Sequence, residues 1–435
     1  LSFGGPAGQI ALLHREVVER RRWVDEARFL HALNYCMLLP GPEAQQLATY
    51  IGWLLHGIPG GLLSGGLFIL PGALLMLALS LFYVTVGSLP VGEGAFFGLK
   101  AAVLIVVLEA VQRLGRRALR GPAQVGVAAA AFVALALLAV PFPVVVLVAG
   151  VFGALWARVG APPGGAAAVP AQPAEDSVVA WMERAGRLEH TRPNGPRLAV
   201  VGLVGLGLWA APTALAWALA GPDSVYVAEG LFFSKAAVVT FGGAYSVLAY
   251  VADQAVRVQG WMQPGQMLDG LGLAETTPGP LILVVQFVGF LGAFGRPGGL
   301  PPLLAGCLGA LLTTTVTFVP SFLWVLAGGP FMESLRGNRT LHAALSAITA
   351  AIVGVVLHLA LWFALHVLFG AQETWTFGPL SLLWPVWGSF RWAAGLLTLG
   401  AGVAMLRYKV GMVQTLVACA LIGALGVLLA PLWVG

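Results

Sequence analysis

FLHALNYCMLLPGPEAQQLATYIGWLLHG, residues 29–57, is an apolar run interrupted in its middle by Pro40-Gly41-Pro42. The run is long enough to cross a bilayer, which takes about 20 residues. Yet the two prolines remove backbone donors and forbid a continuous helix. A second run, 264–294, carries the same interruption at Pro278-Gly279-Pro280. Irregular backbone at membrane depth is tolerated only where protein buries it or where it lines a wet cavity. Two such breaks therefore predict a membrane protein whose helices are interrupted for a purpose.

Composition agrees. Only 41 of 435 residues are Asp, Glu, Lys or Arg, hydrophobic residues make up 59%, and mean hydropathy is +0.89. A soluble surface cannot be built from so little charge without large apolar patches. The fold class expected is an all-α polytopic membrane protein. Although the net charge is +5, the charges gather in 14–28, 113–120 and 158–197, which is loop placement and excludes a nucleic-acid groove. Cys36, Cys307 and Cys419 lie far apart in apolar runs and give neither metal spacing nor a disulfide framework. No metal site and no cofactor is expected.

Hydropathy and turn residues place spans near 1–13, 28–57, 60–87, 94–112, 122–140, 142–157, 198–220, 226–252, 264–294, 300–328, 341–369, 379–405 and 410–434. The first is too short to cross alone and reads as a cut helix whose other half lies upstream of the numbering. The domains expected are an N-terminal repeat over 1–157 and a cytoplasmic Pro/Gly/Ala-rich linker over 158–197, with one short helix near 176–190. A connecting helix over 198–220 and a C-terminal repeat over 221–435 follow.

Sliding the chain by 238 residues aligns 3–62 with 241–300 without a gap, with 16 of 60 positions identical. Phe3-Gly4-Gly5 falls on Phe241-Gly242-Gly243, Trp23 on Trp261, and the first Pro-Gly-Pro on the second. Shared Gly and Pro at fixed spacing mean a shared backbone geometry. The loop charges then predict inverted topology. Arg113, Arg116, Arg117 and Arg120 stand opposite a matching loop holding only Glu373, whereas Arg336, Arg339, Arg407 and Lys409 stand opposite loops with one charge or none. The inference requires each Pro-Gly-Pro run to be one broken span and not a re-entrant hairpin, and it leaves 14–28, with five Arg against four acidic residues, facing outward.

Each break starts a half-helix whose positive N-terminus points toward the midplane, an anion site in principle. One such motif reads equally well as a packed proline kink; two related by symmetry, with polar neighbours, point to a transport site. The substrate-binding candidates are Pro40, Gly41, Pro42, Gln45 and Gln46 at the first break, and Thr276, Thr277, Pro278, Gly279 and Pro280 at the second. Gly4, Gly5, Gly242, Gly243 and Tyr245 join them around the Phe-Gly-Gly motifs, which read either as close helix packing or as a second break. Lys235, inside an apolar span, is expected to face the central cavity; Lys100, Asn34 and Gln286 are further candidates, with interfacial snorkelling the alternative for Lys100. Glu43 and Glu275 sit beside the breaks, either capping the backbone or tuning the site and carrying a coupled proton.

Two long strings in the first half, FGGPAGQIALLHREVVERRRW and FLHALNYCMLLPGPEAQQLATYIGWLLHG, resemble the chromate ion transporter family. So do FFSKAAVVTFGGAYSVL and ETTPGPLILVVQFVGF in the second. The resemblance covers both repeats apart from the linker and the last two helices. It implies a bidomain secondary transporter that exports chromate across the bacterial inner membrane and confers chromate resistance. Chromate or a related oxyanion and the lipid bilayer are the partners implied, with a homodimer the assembly to test. Sulfate or another tetrahedral oxyanion is the alternative substrate, and an anion channel the alternative class. An enzyme is not expected: the chain holds no HExxH, GxSxG, Cys-pair or Gly-rich phosphate motif.

Overall fold

A computed structural model describes residues 5–87, 89–159, 177–239, 241, 244–331, 339–378 and 380–433. Among them six helices are long and apolar enough to cross a membrane. In chain order the helices are α1 (Gly5–His14), α2 (Glu26–Leu38), α3 (Glu43–Val86), α4 (Pro90–Ala118), α5 (Pro122–Ala136), α6 (Phe142–Val159) and α7 (Val178–Arg184). Then come α8 (Gly195–Ala220), α9 (Val225–Val239), α10 (Ala244–Asp253), α11 (Pro264–Thr276), α12 (Val284–Gly295) and α13 (Pro302–Gly328). The last are α14 (Arg339–Leu368), α15 (Trp392–Gly402) and α16 (Met412–Trp433). The chain is a multi-pass, all-α membrane protein. α8 shows its setting most plainly: apolar on every face, it leaves Leu203, Leu208 and Leu219 exposed, as a helix wetted by lipid must.

Two compact units divide the chain, and they cut across the repeats. Unit 1 comprises Leu1–Leu77, Gly164–Val247 and Thr277–Arg339; unit 2 comprises Ala78–Pro163, Leu248–Thr276 and Thr340–Gly435.

In unit 1, α3 is two helices joined at a kink, where His56 leaves helical dihedrals and Gly57 takes φ +65°. The arms 43–55 and 58–86 fold back on each other so closely at Gly52 and Gly60 that a Cβ on either would strike the other's carbonyl. Ser64 Oγ donates to Ala48 O at 2.8 Å across the same seam. α12 and α13 make the equivalent antiparallel pair around Gly289 and Gly309, and α9 and α8 pack on α13.

The first Pro-Gly-Pro is a reversal and not an in-line break. Tyr35 on α2 and Tyr50 on α3 have ring centroids 6.1 Å apart. In line, 15 residues of helix would separate them by about 22 Å. Phe29, Cys36, Leu47 and Trp53 fill the interior of this hairpin. Its open end is closed by the linker: Val178 and Val179 donate to Arg22 O and Trp23 O, both at 3.0 Å, and His190 Nε2 donates to Trp53 O at 2.9 Å. The single-broken-span reading is therefore corrected for this motif, and residues 14–28 lie at the same end of the unit as 178–190. Gly41 at φ +128°, after an extended Leu39, supplies the turn. The short linker helix expected near 176–190 is α7.

The repeat itself is written in the backbone. Adding 238 to the bounds of α2 gives those of α11. A π-helical turn at Arg15–Arg20 returns at Gln254–Val258, and the left-handed residue Arg22 returns as Gly260. Gly41 returns as Gly279 at φ +140°.

In unit 2, α4 runs antiparallel to α16, Gly94 against Gly423 and Gly98 against Cys419, and also packs on α11 and α15. The apolar stretch expected to span from 379 instead starts as a strand. β1 (Gln372–Phe377) and β2 (Leu380–Pro385) form an antiparallel hairpin, with Trp375 stacked on Trp384 at 5.7 Å, and α15 begins only at Trp392. Alternating Thr and aromatic residues before Gly378 at φ +60° are a hairpin signal that overall hydropathy hides.

Candidate functional site

Where the two repeats meet within unit 1 they line one small cleft, with room for about one water molecule. Its walls are Gln9, Pro42, Glu43, Ala44, Ala244, Pro280, Leu281 and Ile282. Pro42, Glu43 and Ala44 are the positions that the 238-residue offset carries onto Pro280, Leu281 and Ile282, so equivalent residues of each repeat face one space. Both sets open a helix: α3 starts at Glu43, and a 3₁₀ turn over Leu281–Leu283 leads into α12. The first N–H groups of a helix have no intrahelical acceptor. The cleft thus receives the positive ends of two helices.

Buried amides hold the breaks in shape. Gln46 Nε2 donates to Pro40 O at 2.8 Å, fastening the turn to the helix it starts, and Gln45 Nε2 donates to Thr49 Oγ1 at 2.9 Å. Gln286 Nε2 donates to Ala73 O at 3.0 Å, next to Gly72, which packs on Gly279. Across repeats, Gln9 Nε2 donates to Gly279 O. Around Gly41 the space is full: a methyl group there would lie 2.5 Å from Ser321 Oγ and 2.7 Å from Gln46 Nε2.

Gln9 is the tie most open to test. Gln9→Leu keeps the bulk but leaves the Gly279 carbonyl without its donor, at about 1–3 kcal/mol. The expected outcome is a lower melting temperature, checked by thermal unfolding.

The sequence-derived candidates divide. Pro40, Gly41, Pro42, Glu43, Gln45, Gln46, Thr277, Pro278, Gly279, Pro280 and Gln286 all fall in unit 1, around the cleft or directly behind it. Gly5 opens α1, and Tyr245 lies half-buried on α10 beside the cleft residue Ala244. Glu275 and Thr276 close α11 in unit 2, where the Thr276 hydroxyl bonds back to Leu273 O at 2.9 Å. Asn34 is exposed on α2. Lys235 is exposed on α9, on the face that also bares Leu231 and Val238, and does not point into the core of its unit. Gly4, Gly242 and Gly243 lie outside the described residues.

Lys100 has a partner that sequence reading missed. In unit 2 its Nζ lies 3.2 Å from Asp269 Oδ2, to which Tyr83 also donates at 3.0 Å. Asp269 is 2% exposed. A lone Asp within an interrupted apolar run was the available signal, since a buried membrane carboxylate needs a cation. Ser321, 280 positions from the glycine it covers, left none.

The family model described as "Chromate transporter" matches residues 1–154 and 228–424. A "Chromate transport protein" of Pseudomonas aeruginosa is 34% identical over 362 residues, covering 82% of this chain and 76% of the relative. A protein of the same description from Cupriavidus metallidurans is 28% identical, covering 82% of this chain and 77% of its own. A "Probable chromate transport protein" of Synechococcus elongatus is 27% identical over 356 residues, 82% of this chain and 79% of the relative. No solved structure matches the chain.

Proposed function

The chain belongs to the chromate transporter family, and from that premise we propose that it is a secondary transporter exporting chromate across the bacterial inner membrane, so conferring chromate resistance. The cleft carries the reading. An oxyanion leaving water needs several donors at once, and two helix N-termini from equivalent positions of the two repeats offer them on one space. Glu43, on the cleft wall, tunes that positive field, with Glu275 as its partner candidate in the second repeat.

Inverted topology is part of the proposal; the hairpin at the first Pro-Gly-Pro removes the span count on which the loop-charge argument relied, and the helix directions of unit 2 support the inversion in its place. Antiparallel α4 and α16 bring Arg407 and Lys409, just before α16, toward the α4 end that carries Arg113, Arg116 and Arg117. The β-hairpin meets the α5–α6 turn instead, Ser381 N donating to Leu137 O at 2.8 Å. Loops that match in the repeat alignment thus fall at opposite ends of this unit.

Direction follows from charge. With the cell interior negative, one charge crossing is worth about 2.3 kcal/mol per 100 mV, so an outgoing dianion gains about 4.6 kcal/mol. Import would have to overcome the same amount. The test is uptake of labelled chromate into everted vesicles, with sulfate as competitor. Uptake should saturate and should fall by most of its rate when valinomycin and potassium collapse the potential at fixed pH gradient. Preferential inhibition by sulfate would reassign the substrate to that anion, and non-saturating flux would make the protein a channel.

A further inference from the structure

Glu229 is wholly buried in the middle of α9; its carboxylate faces the backbone of Ala293 on α12, and neither oxygen completes a hydrogen bond of good geometry among the described residues. It is wedged into the crossing of α12 and α13: a methyl group on Gly309 would come within 3.0 Å of Glu229 Oε2, and Gly309 itself lies against Gly289. The helices packed around it offer no counter-charge. α8, α12 and α13 contain, as ionisable residues, only Arg197 in the first turn of α8 and Cys307 on α13; α9 itself adds Tyr226 and the exposed Lys235. An ionised carboxylate in such a place is costly, whereas the neutral acid is tolerated.

The surroundings extend this into a path. Gly309, Thr313, Thr317 and Ser321 recur every four residues and so share one face of α13. Thr313, Thr317 and Ser321 are buried, and the hydroxyls of Thr317 and Ser321 have no partner among the described residues. The line starts at Glu229 and ends at Ser321, the residue covering Gly41 in the first break. Its 12 residues cover about 18 Å. The Tyr226 and Thr213 hydroxyls, likewise without partners, extend it on the other side of Glu229, Thr213 abutting Gly230.

We propose that Glu229 is a proton-binding site of this transporter, connected to the anion cleft by the hydroxyl line on α13. The proton is held on the carboxyl while α12 and α13 are closed. It passes to water entering along the hydroxyls when they part, and the carboxylate takes another proton from water before the crossing closes again. α12 also carries one of the cleft's two helix starts, with Gly289 eight residues beyond Leu281, so proton and oxyanion act on one helix and bias each other reciprocally. This rests on the transport reading only for its second half; proton binding at rest does not need it.

The purified protein in lipid is titrated while the carbonyl stretch of protonated carboxyls is followed by infrared difference spectroscopy, and chromate flux is measured in liposomes at about pH 6 and pH 8. Wild type should show a protonated-carboxyl band at neutral pH that Glu229→Gln removes, and Glu229→Gln should bring the ratio of its two fluxes to about one. Thr317→Val should keep the band but slow its exchange with solvent. A band unchanged by Glu229→Gln overturns the proposal, as does an unchanged flux ratio in a folded variant. Should Glu229→Gln fail to fold, Glu229→Asp must shift the band's titration midpoint, and no shift is equally fatal. If wild type moves no oxyanion at all, the transport reading fails, while the infrared band still decides the proton site.

Discussion

Replacing Gly41 by alanine is expected to cut oxyanion transport more than about tenfold and to destabilise the protein by about 1–3 kcal/mol. Two effects act together. At φ +128° an L side chain is strained wherever it sits, and here the new methyl group would also lie 2.5 Å from Ser321 Oγ and 2.7 Å from Gln46 Nε2. Gln46 holds the Pro40 carbonyl, so moving it loosens the turn and the helix start that faces the cleft. Gly57→Ala is the comparison. Its φ of +65° with ψ of −155° lies in a region essentially reserved for glycine and imposes strain of about 1–3 kcal/mol, but the added methyl meets nothing within 4 Å. That variant should melt earlier yet transport normally. Equal transport by the two variants would separate the Gly41 turn from function.

Breaking the Lys100–Asp269 pair should give the second large effect, and an asymmetric one. Lys100→Met strands a carboxylate that is 2% exposed, at about 3–5 kcal/mol. Asp269→Leu strands an ammonium whose side chain is still 28% exposed, so it can turn toward water, and the cost falls near the lower end, about 3 kcal/mol. The double variant, with neither charge, should recover to within about 1 kcal/mol of wild type. Thermal unfolding of the four proteins in one detergent measures the cycle. Because Asp269 occupies the ammonium, the double variant should also keep flux within about twofold of wild type. A stable but inactive double variant would instead place Lys100 among the groups that meet the anion.

Much of this was legible in sequence for physical reasons. Pro-Gly-Pro cannot be helix, so both breaks were fixed by covalent geometry alone, and the gapless 238-residue offset carried α2 onto α11. What sequence could not say was whether a break bends the chain or returns it. That depends on one dihedral at Gly41 and on Tyr35 meeting Tyr50, a contact across the turn that periodicity does not encode. Partners far apart in the chain were hidden likewise. Lys100 could be recognised as expensive but not as paired, because Asp269 comes 169 positions later. Glu229 drew no notice because nothing local marks it; its meaning lies in the bareness of α8, α12 and α13 around it. The β-hairpin failed for the opposite reason, its alternation being drowned in a window averaged for hydropathy.

The closure of the first hairpin by the linker has a consequence for how the protein is made. Residues 26–55 leave the ribosome well before 178–190, whose amides and imidazole cap Arg22, Trp23 and Trp53. Tyr35 waits longer still, since its hydroxyl donates at 3.2 Å to Trp324 O. A nascent chain therefore inserts its first helices with their interior polar groups unmatched. It completes unit 1 only when α13 emerges, and truncations before that point should be handed to membrane proteases instead of accumulating as half-transporters.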